Sequence, residues 1–326
     1  MKTAFLILAA AVQLAWRDPS PHTVKFITVD SAVRLEVLDW GGTGRPVMFL
    51  SCYVSGHQFD DMAPKLIDRF RVYALTRRGI GGSDRPADGY KLQDSVDDVR
   101  DVLDALNVRK TILAGHSCAG QVLTLFAAQH SDRLHGLVYL DGAGDPTMKP
   151  EDVGATMPDL AMLPRLLNAT PPDHTSFAAL RASQLRTRGW AFPEGELRAQ
   201  FAANPDGSVG PSTLDPTIRR AITIDARTKP DYSRIRVPVL AIYQRALPFE
   251  QEAARYAIED ERQRAAMRQE YTATRALYTR WQQDLRAAVP TARIVDLPGA
   301  GLYMFLSHEA DVIRELRSFA ATLPPD

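Results

Sequence analysis

The chain has 326 residues, and its 39 Lys and Arg balance its 39 Asp and Glu, which gives a formal net charge of +0. This length is ample for one large domain, or for a domain with a sizeable insertion. The charge balance gives no support to binding of nucleic acid or of an anionic membrane surface. Two cysteines, Cys52 and Cys118, form no spaced framework, so the sequence does not indicate a disulfide-stabilised fold.

Residues 1–24 are predicted to be a separate N-terminal segment. Met1-Lys2-Thr3 precedes an apolar run at residues 4–15, which is similar to the charged start and apolar core of a signal peptide. A clear small-residue cleavage site is missing before Trp16, so a short amphipathic helix is the alternative. The run is too short to span a membrane as a helix. The sequence leaves the location open between cytoplasmic and exported.

Apolar strand-like runs alternate with helix-like segments from residue 25 onward, which predicts an α/β fold with a mostly parallel eight-stranded sheet and helices on both faces. A short turn separates the first two runs, so they are expected to form an antiparallel hairpin. The predicted strands are residues 25–30, 32–40, 46–51, 71–76, 110–114, 136–141, 238–243 and 293–297. The predicted helices of the core are residues 60–70, 92–106, 120–130 and 307–323.

Between residues 145 and 236 the pattern changes, because prolines interrupt short helical pieces and no strong strand occurs. We therefore predict a core formed by residues 25–145 and 235–326, and a helical insertion at residues 146–234. Such an insertion emerges from the carboxyl edge of the sheet, where ligands bind in open α/β folds. A lid is its natural role, and an insertion without a role in binding is the alternative. A further helical stretch at residues 250–288 is expected to pack beside it.

The run TILAGHSCAG, which ends at Gly120, predicts a strand, a sharp turn and the start of a helix, with Ser117 at the tip. Such a turn presents a serine hydroxyl at the top of a sheet, where it can act as a nucleophile. Gly115 and Ala119 leave room for the backbone to double back, and Gly120 lets the helix approach the strand. Ala119 is a mild departure from the usual Gly-x-Ser-x-Gly pattern.

Two further stretches, VMFLSCY from Val47 and RRGIGGSDRP from Arg77, precede this turn in an order that resembles the α/β-hydrolase superfamily. The resemblance implies that fold with a helical lid, and a carboxylesterase-like serine hydrolase that forms an acyl-enzyme at Ser117. It also implies an oxyanion hole made by the backbone N–H groups of Tyr53 and Cys118. The usual His-Gly of the oxyanion loop is replaced here, and Cys52 adopts a positive φ less easily than glycine.

The acid of the implied triad has several candidates. Asp141 ends the strand at residues 136–141, where some members of the superfamily place it, and it is the favoured candidate. The more common position follows the strand at residues 238–243, where this chain has no aspartate, and Glu250 is the alternative acid there. Asp145 is a further candidate. A purely structural role for Asp141, at the start of the insertion, is also possible.

The expected histidine is missing. The superfamily typically shows Gly-x-x-His after the last strand, and this chain has Leu302 in that place. Leucine cannot accept the serine proton. His57, His174 and His308 are alternative bases, although each is also explained as a surface or packing residue. Leu302 is either an introduced substitution or a native one, as in receptors of this fold such as the gibberellin receptor.

These patterns favour a hydrolase of esters, lactones or amides that Leu302 disables or strongly impairs, acting on a small, largely apolar acyl substrate. A non-catalytic protein that binds a small ligand is the alternative, and a cofactor-free haloperoxidase-like activity is a smaller one. The sequence contains neither a His-Glu-x-x-His motif nor paired cysteines, so no metal or cofactor is expected. Ser117, in place of an aspartate, argues against dehalogenase or epoxide hydrolase chemistry.

Overall fold

The structure is a computed structural model that describes residues 16–30, 32–163, 171–256 and 258–324. Its strands are β1 (Thr23–Val29), β2 (Val33–Gly41), β3 (Arg45–Leu50), β4 (Phe70–Leu75), β5 (Thr111–His116), β6 (Leu134–Leu140), β7 (Phe201–Ala203), β8 (Val209–Ser212), β9 (Val239–Arg245) and β10 (Arg293–Pro298). Its α-helices are α1 (Leu92–Ala105), α2 (Ala119–Gln129), α3 (Phe177–Arg188), α4 (Glu194–Gln200), α5 (Pro216–Ala226), α6 (Phe249–Ala254), α7 (Glu261–Ala288), α8 (Met304–Ser307) and α9 (Glu309–Thr322).

Eight of the described strands form one sheet in the order β1-β2-β4-β3-β5-β6-β9-β10, which confirms the predicted fold class. The β1–β2 pair is the predicted antiparallel hairpin, and β2 also runs antiparallel to β4. The other neighbouring pairs of this sheet are parallel. The carboxyl ends of the parallel strands, and the residues that follow them, therefore lie at one edge of the sheet.

Side chains alternate between the two faces of the sheet and form two separate hydrophobic clusters. On β5, Leu113 packs into the cluster that contains buried residues of α1 and α2. Its neighbours Ile112 and Ala114 pack into the other cluster, which contains Leu316 and Phe319 of α9. Burial on both faces explains why these strands are almost continuously apolar in the sequence.

The prediction of one helix over residues 60–70 is wrong. Two short 3-10 helices, Gly56–Phe59 and Ala63–Lys65, occupy this region. Pro64 lies in the first turn of the second one, and its lack of an N–H prevents a longer α-helix from running through it. The last helix is also divided into α8 and α9 at His308, and residues 250–288 contain α6 and α7 instead of one helix.

Residues 145–236, where the sequence predicts no strong strand, contain two short ones within their described part. β7 and β8 pair antiparallel in a two-stranded sheet, joined by a turn in which Gly207 has a φ of 85°. The residues at positions 204–208 are typical of a turn between two strands, but the prolines around them favoured a prediction of short helical pieces. The remaining described elements of this region are helical, with α3, α4 and α5 the longest.

The predicted signal peptide or helix at the N-terminus falls almost entirely on residues 1–15, which lie outside the described residues. Within the described ranges, no helix has the length and apolar character needed to cross a bilayer.

Candidate active site

Ser117 stands at a tight turn between β5 and α2, as the sequence predicts. Its φ is 55°, in the left-handed region that a non-glycine residue adopts only at a cost. Its N–H donates to Leu140 O at 3.1 Å. A β-carbon on Gly120 would lie 1.8 Å from Gly142 O, and one on Gly115 would lie 2.5 Å from Leu123 Cδ1. The close packing of the turn therefore depends on these glycines.

A disulfide joins Cys52 to Cys118, with their Cα atoms 5.3 Å apart. The sequence does not indicate this bond, because the two cysteines form no spaced framework. They are separated by 66 positions, and only the contact of the loop after β3 with the serine turn brings them together. Cys52 is not among the described non-glycine residues with positive φ, so the loop forms without the strain that its missing glycine suggested.

The two residues predicted to form the oxyanion hole lie at this disulfide. Cys118 is one of its cysteines and directly follows Ser117, while Tyr53 directly follows Cys52. The Tyr53 hydroxyl also lies 2.8 Å from Thr223 Oγ1 on α5. The loop after β3 is thus fixed to the serine turn on one side and to the insertion on the other.

Asp141 lies next to the serine turn at the end of β6. The register pairs His116 with Leu140, so Ser117 and Asp141 both follow directly after paired residues of adjacent strands. Asp141 also has a positive φ, of 50°. Gln244 N donates to Oδ1 at 3.1 Å, and Gln244 Nε2 and the Tyr278 hydroxyl donate to Oδ2, each at 2.8 Å. Burial, only partly offset by these hydrogen bonds, raises the pKa of Asp141 to about 6.

The other candidate acids are placed differently. Glu250 is exposed on α6 and forms ion pairs with Arg264 and with Arg268, the latter at 3.1 Å, so the prediction of Glu250 as an alternative triad acid is not supported. Asp145 is buried and accepts hydrogen bonds from the N–H and hydroxyl of Thr147, at 2.9 and 2.6 Å. It caps the turn that begins the insertion.

Leu302 occupies the loop between β10 and α8, and its side chain is 38% exposed. Its carbonyl oxygen lies 3.0 Å from His116 Nε2. Since a carbonyl can only accept, Nε2 carries the proton and donates it. Burial lowers the pKa of His116 to about 4, so the ring is neutral at ordinary pH. His116 thus holds the Leu302 loop against the serine turn, and it is unsuited to be the base because its burial disfavours the charged imidazolium.

The three alternative histidines are engaged elsewhere. His57 Nδ1 lies 2.9 Å from Asp60 Oδ2, and His308 Nδ1 lies 3.0 Å from Ser307 Oγ. His174 is exposed and its ring lies near that of Phe201. The structure therefore brings Ser117, Asp141 and Leu302 to one edge of the sheet, and the hydrogen bonds of His57 and His308 described here join them to residues other than Ser117.

Gln244 and Tyr278 are site residues that sequence reasoning missed. Gln244 lies on β9, at the start of the segment that was considered only as a source of an acid, and Tyr278 lies on a helix far along the chain. Both residues also line a cavity of about 940 Å³, together with Trp190, Gly301 and His308. This volume lies in the range of small-molecule sites.

Comparison with known proteins agrees with this geometry. The sequence pattern described as "Alpha/beta hydrolase family" matches residues 41–315. The chain belongs to the α/β-hydrolase family. Mouse epoxide hydrolase 4 is 32% identical over 133 residues, which are 38% of this chain and 36% of that protein. A non-heme chloroperoxidase of Kitasatospora aureofaciens is 31% identical over 135 residues, which are 40% of this chain and 49% of that protein.

The matched regions thus span between about a third and a half of these relatives. Among solved structures, E-2-(acetamidomethylene)succinate hydrolase has a TM-score of 0.66 at 18% identity, and the match covers 92% of this chain and all (100%) of that one. The thioesterase domain from the curacin biosynthetic pathway has a TM-score of 0.63 at 15% identity, with coverage of 91% and 99%. At these identities the likeness shows the fold alone.

Proposed function

We propose that this chain is a serine hydrolase scaffold for carboxylic esters, lactones or amides, impaired by Leu302 at the position of the base. The observation that carries the proposal is Ser117 in a left-handed turn at the end of β5, directly beside Asp141 at the end of β6. A serine held in this way is an exposed nucleophile, and a neighbouring carboxylate is the group that orients a histidine.

In the proposed reaction, Ser117 Oγ attacks the substrate carbonyl carbon and forms a tetrahedral intermediate. The backbone N–H groups of Cys118 and Tyr53 donate to its oxyanion, and the disulfide between Cys52 and Cys118 keeps these two segments together. The serine proton needs an acceptor, and Leu302 offers none. In a serine protease the loss of the base costs on the order of 10⁶ in turnover. We therefore expect slow acylation and intact substrate binding.

The same proposal assigns residues 146–234 as a lid over a core of residues 25–145 and 235–326. Glu196 of α4 supports it, because its carboxylate accepts hydrogen bonds from Ser55 N and, at 2.5 Å, from Ser55 Oγ in the loop after β3. Ile218 and Ile222 of α5 pack against Cys52. This apolar contact beside the serine turn favours a small, largely apolar acyl group.

The substitution Leu302→His tests the proposal. It should raise hydrolysis of an activated ester by several orders of magnitude and restore rapid labelling by a fluorophosphonate probe, because imidazole supplies the missing base. Leu302→Asn is the matched control, since it is polar but provides no base, and Ser117→Ala in the Leu302→His background removes the nucleophile. Equal rates for Leu302→His and Leu302→Asn, with Ser117 dispensable, would overturn the proposal.

A second candidate function is non-catalytic binding of a small ligand. It is favoured by the three donors that already saturate Asp141 and by the adjacent cavity of about 940 Å³. Saturable binding of a small apolar acyl compound, without any rescue by Leu302→His, would support it. A halide-dependent peroxide assay on the Leu302→His protein distinguishes the haloperoxidase-like activity that the similarity to the chloroperoxidase suggests.

A further inference from the structure

A second cluster of reactive side chains lies outside the serine site. It consists of Asp18, His22, His57 and Asp60, each of which offers one ligand atom within 4.8 Å of the others. His57 Nδ1 is 2.9 Å from Asp60 Oδ2 and 3.2 Å from Asp18 Oδ2. His22 Nδ1 is 3.2 Å from Asp60 Oδ1.

The side chains of His22 and Asp60 are buried, those of Asp18 and His57 are partly buried, and several polar atoms of the cluster lack a hydrogen bond. The side chains of His22 and Asp60 are each 3% exposed. His22 Nδ1, Asp18 Oδ2 and Asp60 Oδ1 are buried atoms without a hydrogen-bond partner. Buried polar atoms of this kind are rare and costly, and an ion is one of the features that explain them. All three atoms belong to the same cluster.

The local charge also favours a cation. Two carboxylates, those of Asp18 and Asp60, meet in the cluster, and Glu36 Oε1 lies 4.0 Å from His57 Nε2. Carboxylates removed from water are costly unless positive charge lies beside them. A divalent cation among these ligands would balance the two aspartates in place of the proton that His57 Nδ1 otherwise directs at both carboxylates.

Gly195 of α4, which belongs to the insertion, lies directly against the cluster. A β-carbon at this position would lie 2.5 Å from Asp18 Oδ2, 2.7 Å from Asp60 Oδ2 and 2.9 Å from His57 Nδ1. Gly195 does not belong to the described glycines with positive φ, so the backbone conformation does not require glycine there. The cluster itself requires it, because any side chain would meet the three ligand atoms.

We propose that Asp18, His22, His57 and Asp60 form a four-coordinate site for a divalent transition metal of the zinc class. Two imidazole nitrogens and two carboxylate oxygens suit Zn²⁺, whereas Ca²⁺ and Mg²⁺ prefer oxygen ligands only. Metal–ligand bonds of about 2.0–2.1 Å place neighbouring ligands of a tetrahedron about 3.3 Å apart. Three of the ligand pairs are 2.9–3.2 Å apart and all lie within 4.8 Å, so the side chains would adjust slightly around the ion.

Four protein ligands leave no open position, which is typical of a structural site and not of a catalytic one. The ion would join the segment before β1, which carries Asp18 and His22, to the 3-10 region after β3, which carries His57 and Asp60. Sequence motifs did not reveal this site because its two pairs of ligands are far apart in the chain. The inference does not depend on any activity at Ser117.

The test uses the whole chain with its affinity tag removed, treated with EDTA and then titrated with Zn²⁺ alone. We expect one equivalent to bind with a dissociation constant below about 1 μM and to raise the melting temperature. Co²⁺ should give the visible absorption of a four-coordinate site. Failure of the chain to bind one equivalent, or a six-coordinate Co²⁺ spectrum, would overturn the proposal.

Variants locate the ion. His22→Gln removes one ligand and Gly195→Ala crowds the cluster, and each should weaken Zn²⁺ binding by on the order of 100-fold or more. His174→Gln, which changes an exposed histidine of the insertion, is the matched control and should bind as the unmodified chain does. Unchanged affinity in both His22→Gln and Gly195→Ala, or an equal loss in His174→Gln, would contradict the assignment. If His22→Gln does not fold, Gly195→Ala and the Co²⁺ spectrum decide.

Discussion

At the scale of single residues, the hydrogen bonds of Asp141 decide how an introduced histidine could use it. Gln244 and Tyr278 supply three hydrogen bonds to its carboxylate, on both oxygens. The Tyr278 hydroxyl also accepts from Gln244 Nε2 at 2.7 Å, so the three groups form one network. A histidine introduced at position 302 has to compete with these donors for Asp141.

Removing one of these donors should therefore help an introduced histidine. In the Leu302→His background, Tyr278→Phe is expected to raise kcat/KM by about tenfold, because it frees one acceptor position of Asp141 and stronger orientation of the base lowers the barrier by about 1.4 kcal/mol. Tyr271→Phe, on the same helix, is the control, since the Tyr271 hydroxyl is held by Arg275 and not by the site. A decrease with Tyr278→Phe would show that the tyrosine is needed for substrate binding or folding.

Asp141 should also make stability depend on pH. Burial raises its pKa to about 6, above the ordinary value of 3.8, so the folded state binds its proton more tightly than the unfolded state. The associated stability is present below about pH 4 and is lost as the pH rises to about 6, by at most about 3 kcal/mol. Asp141→Asn removes this dependence. Urea unfolding of both proteins between these pH values measures it, and a constant difference between them would contradict the assigned shift.

At the scale of elements, α4 is held to the core by one buried carboxylate. Glu196 is fully buried and accepts hydrogen bonds from Ser55 and, at 2.8 Å, from Gln200 Nε2. Ser55 in turn caps the 3-10 helix at Gly56–Phe59. One side chain thus links the insertion, the loop after β3 and the start of the next element.

Glu196→Ala should lower the free energy of unfolding by about 2–4 kcal/mol, because it leaves the Ser55 and Gln200 donors buried without an acceptor. Glu194→Ala on the same helix is the matched control. Glu194 pairs with Arg198 four residues later at the partly exposed surface, so its loss should cost less than about 1 kcal/mol. Urea denaturation provides the measurement, and equal effects of the two substitutions would argue against the buried link.

The sequence predicts the elements that form from contacts between residues close together in the chain, and it does not predict contacts between distant segments. The strands and the turn at Ser117 follow from local apolar patterns and from small residues at fixed positions, so they are predicted to within about three residues at each end. The prediction of a helix over residues 60–70 is wrong because Pro64 prevents a continuous helix there, despite the apolar pattern. The Cys52–Cys118 bond and the contact of His116 with Leu302 join distant segments, and no local pattern encodes such pairs.

At the scale of the whole molecule, the disulfide closes a loop of the chain across the centre of the sheet. Its cysteines are 66 positions apart, and this interval includes β4, α1 and β5. In the chain-entropy model, a loop of this length stabilises the folded state by about 4 kcal/mol, because the unfolded chain loses conformational freedom.

The double substitution of Cys52→Ser with Cys118→Ser should therefore lower the free energy of unfolding by up to about 4 kcal/mol. In the Leu302→His background, it should also slow acylation, since the proposed oxyanion donors would no longer be joined by a covalent bond. Denaturation with and without a reducing agent is the measurement. Only the unmodified chain should respond to the reducing agent, and a similar response of the double variant would show that reduction acts elsewhere.

Whether Cys52 and Cys118 are bonded depends on the redox conditions around the chain. Such bonds persist outside the cell and in oxidising compartments, whereas thiol systems of the cytosol keep cysteines reduced. The same polypeptide is thus two covalent species, one with the bond formed and one with both cysteines reduced. Since Cys118 directly follows Ser117, the difference between them lies at the nucleophile itself. A change in the redox conditions around the chain therefore alters the covalent structure next to Ser117.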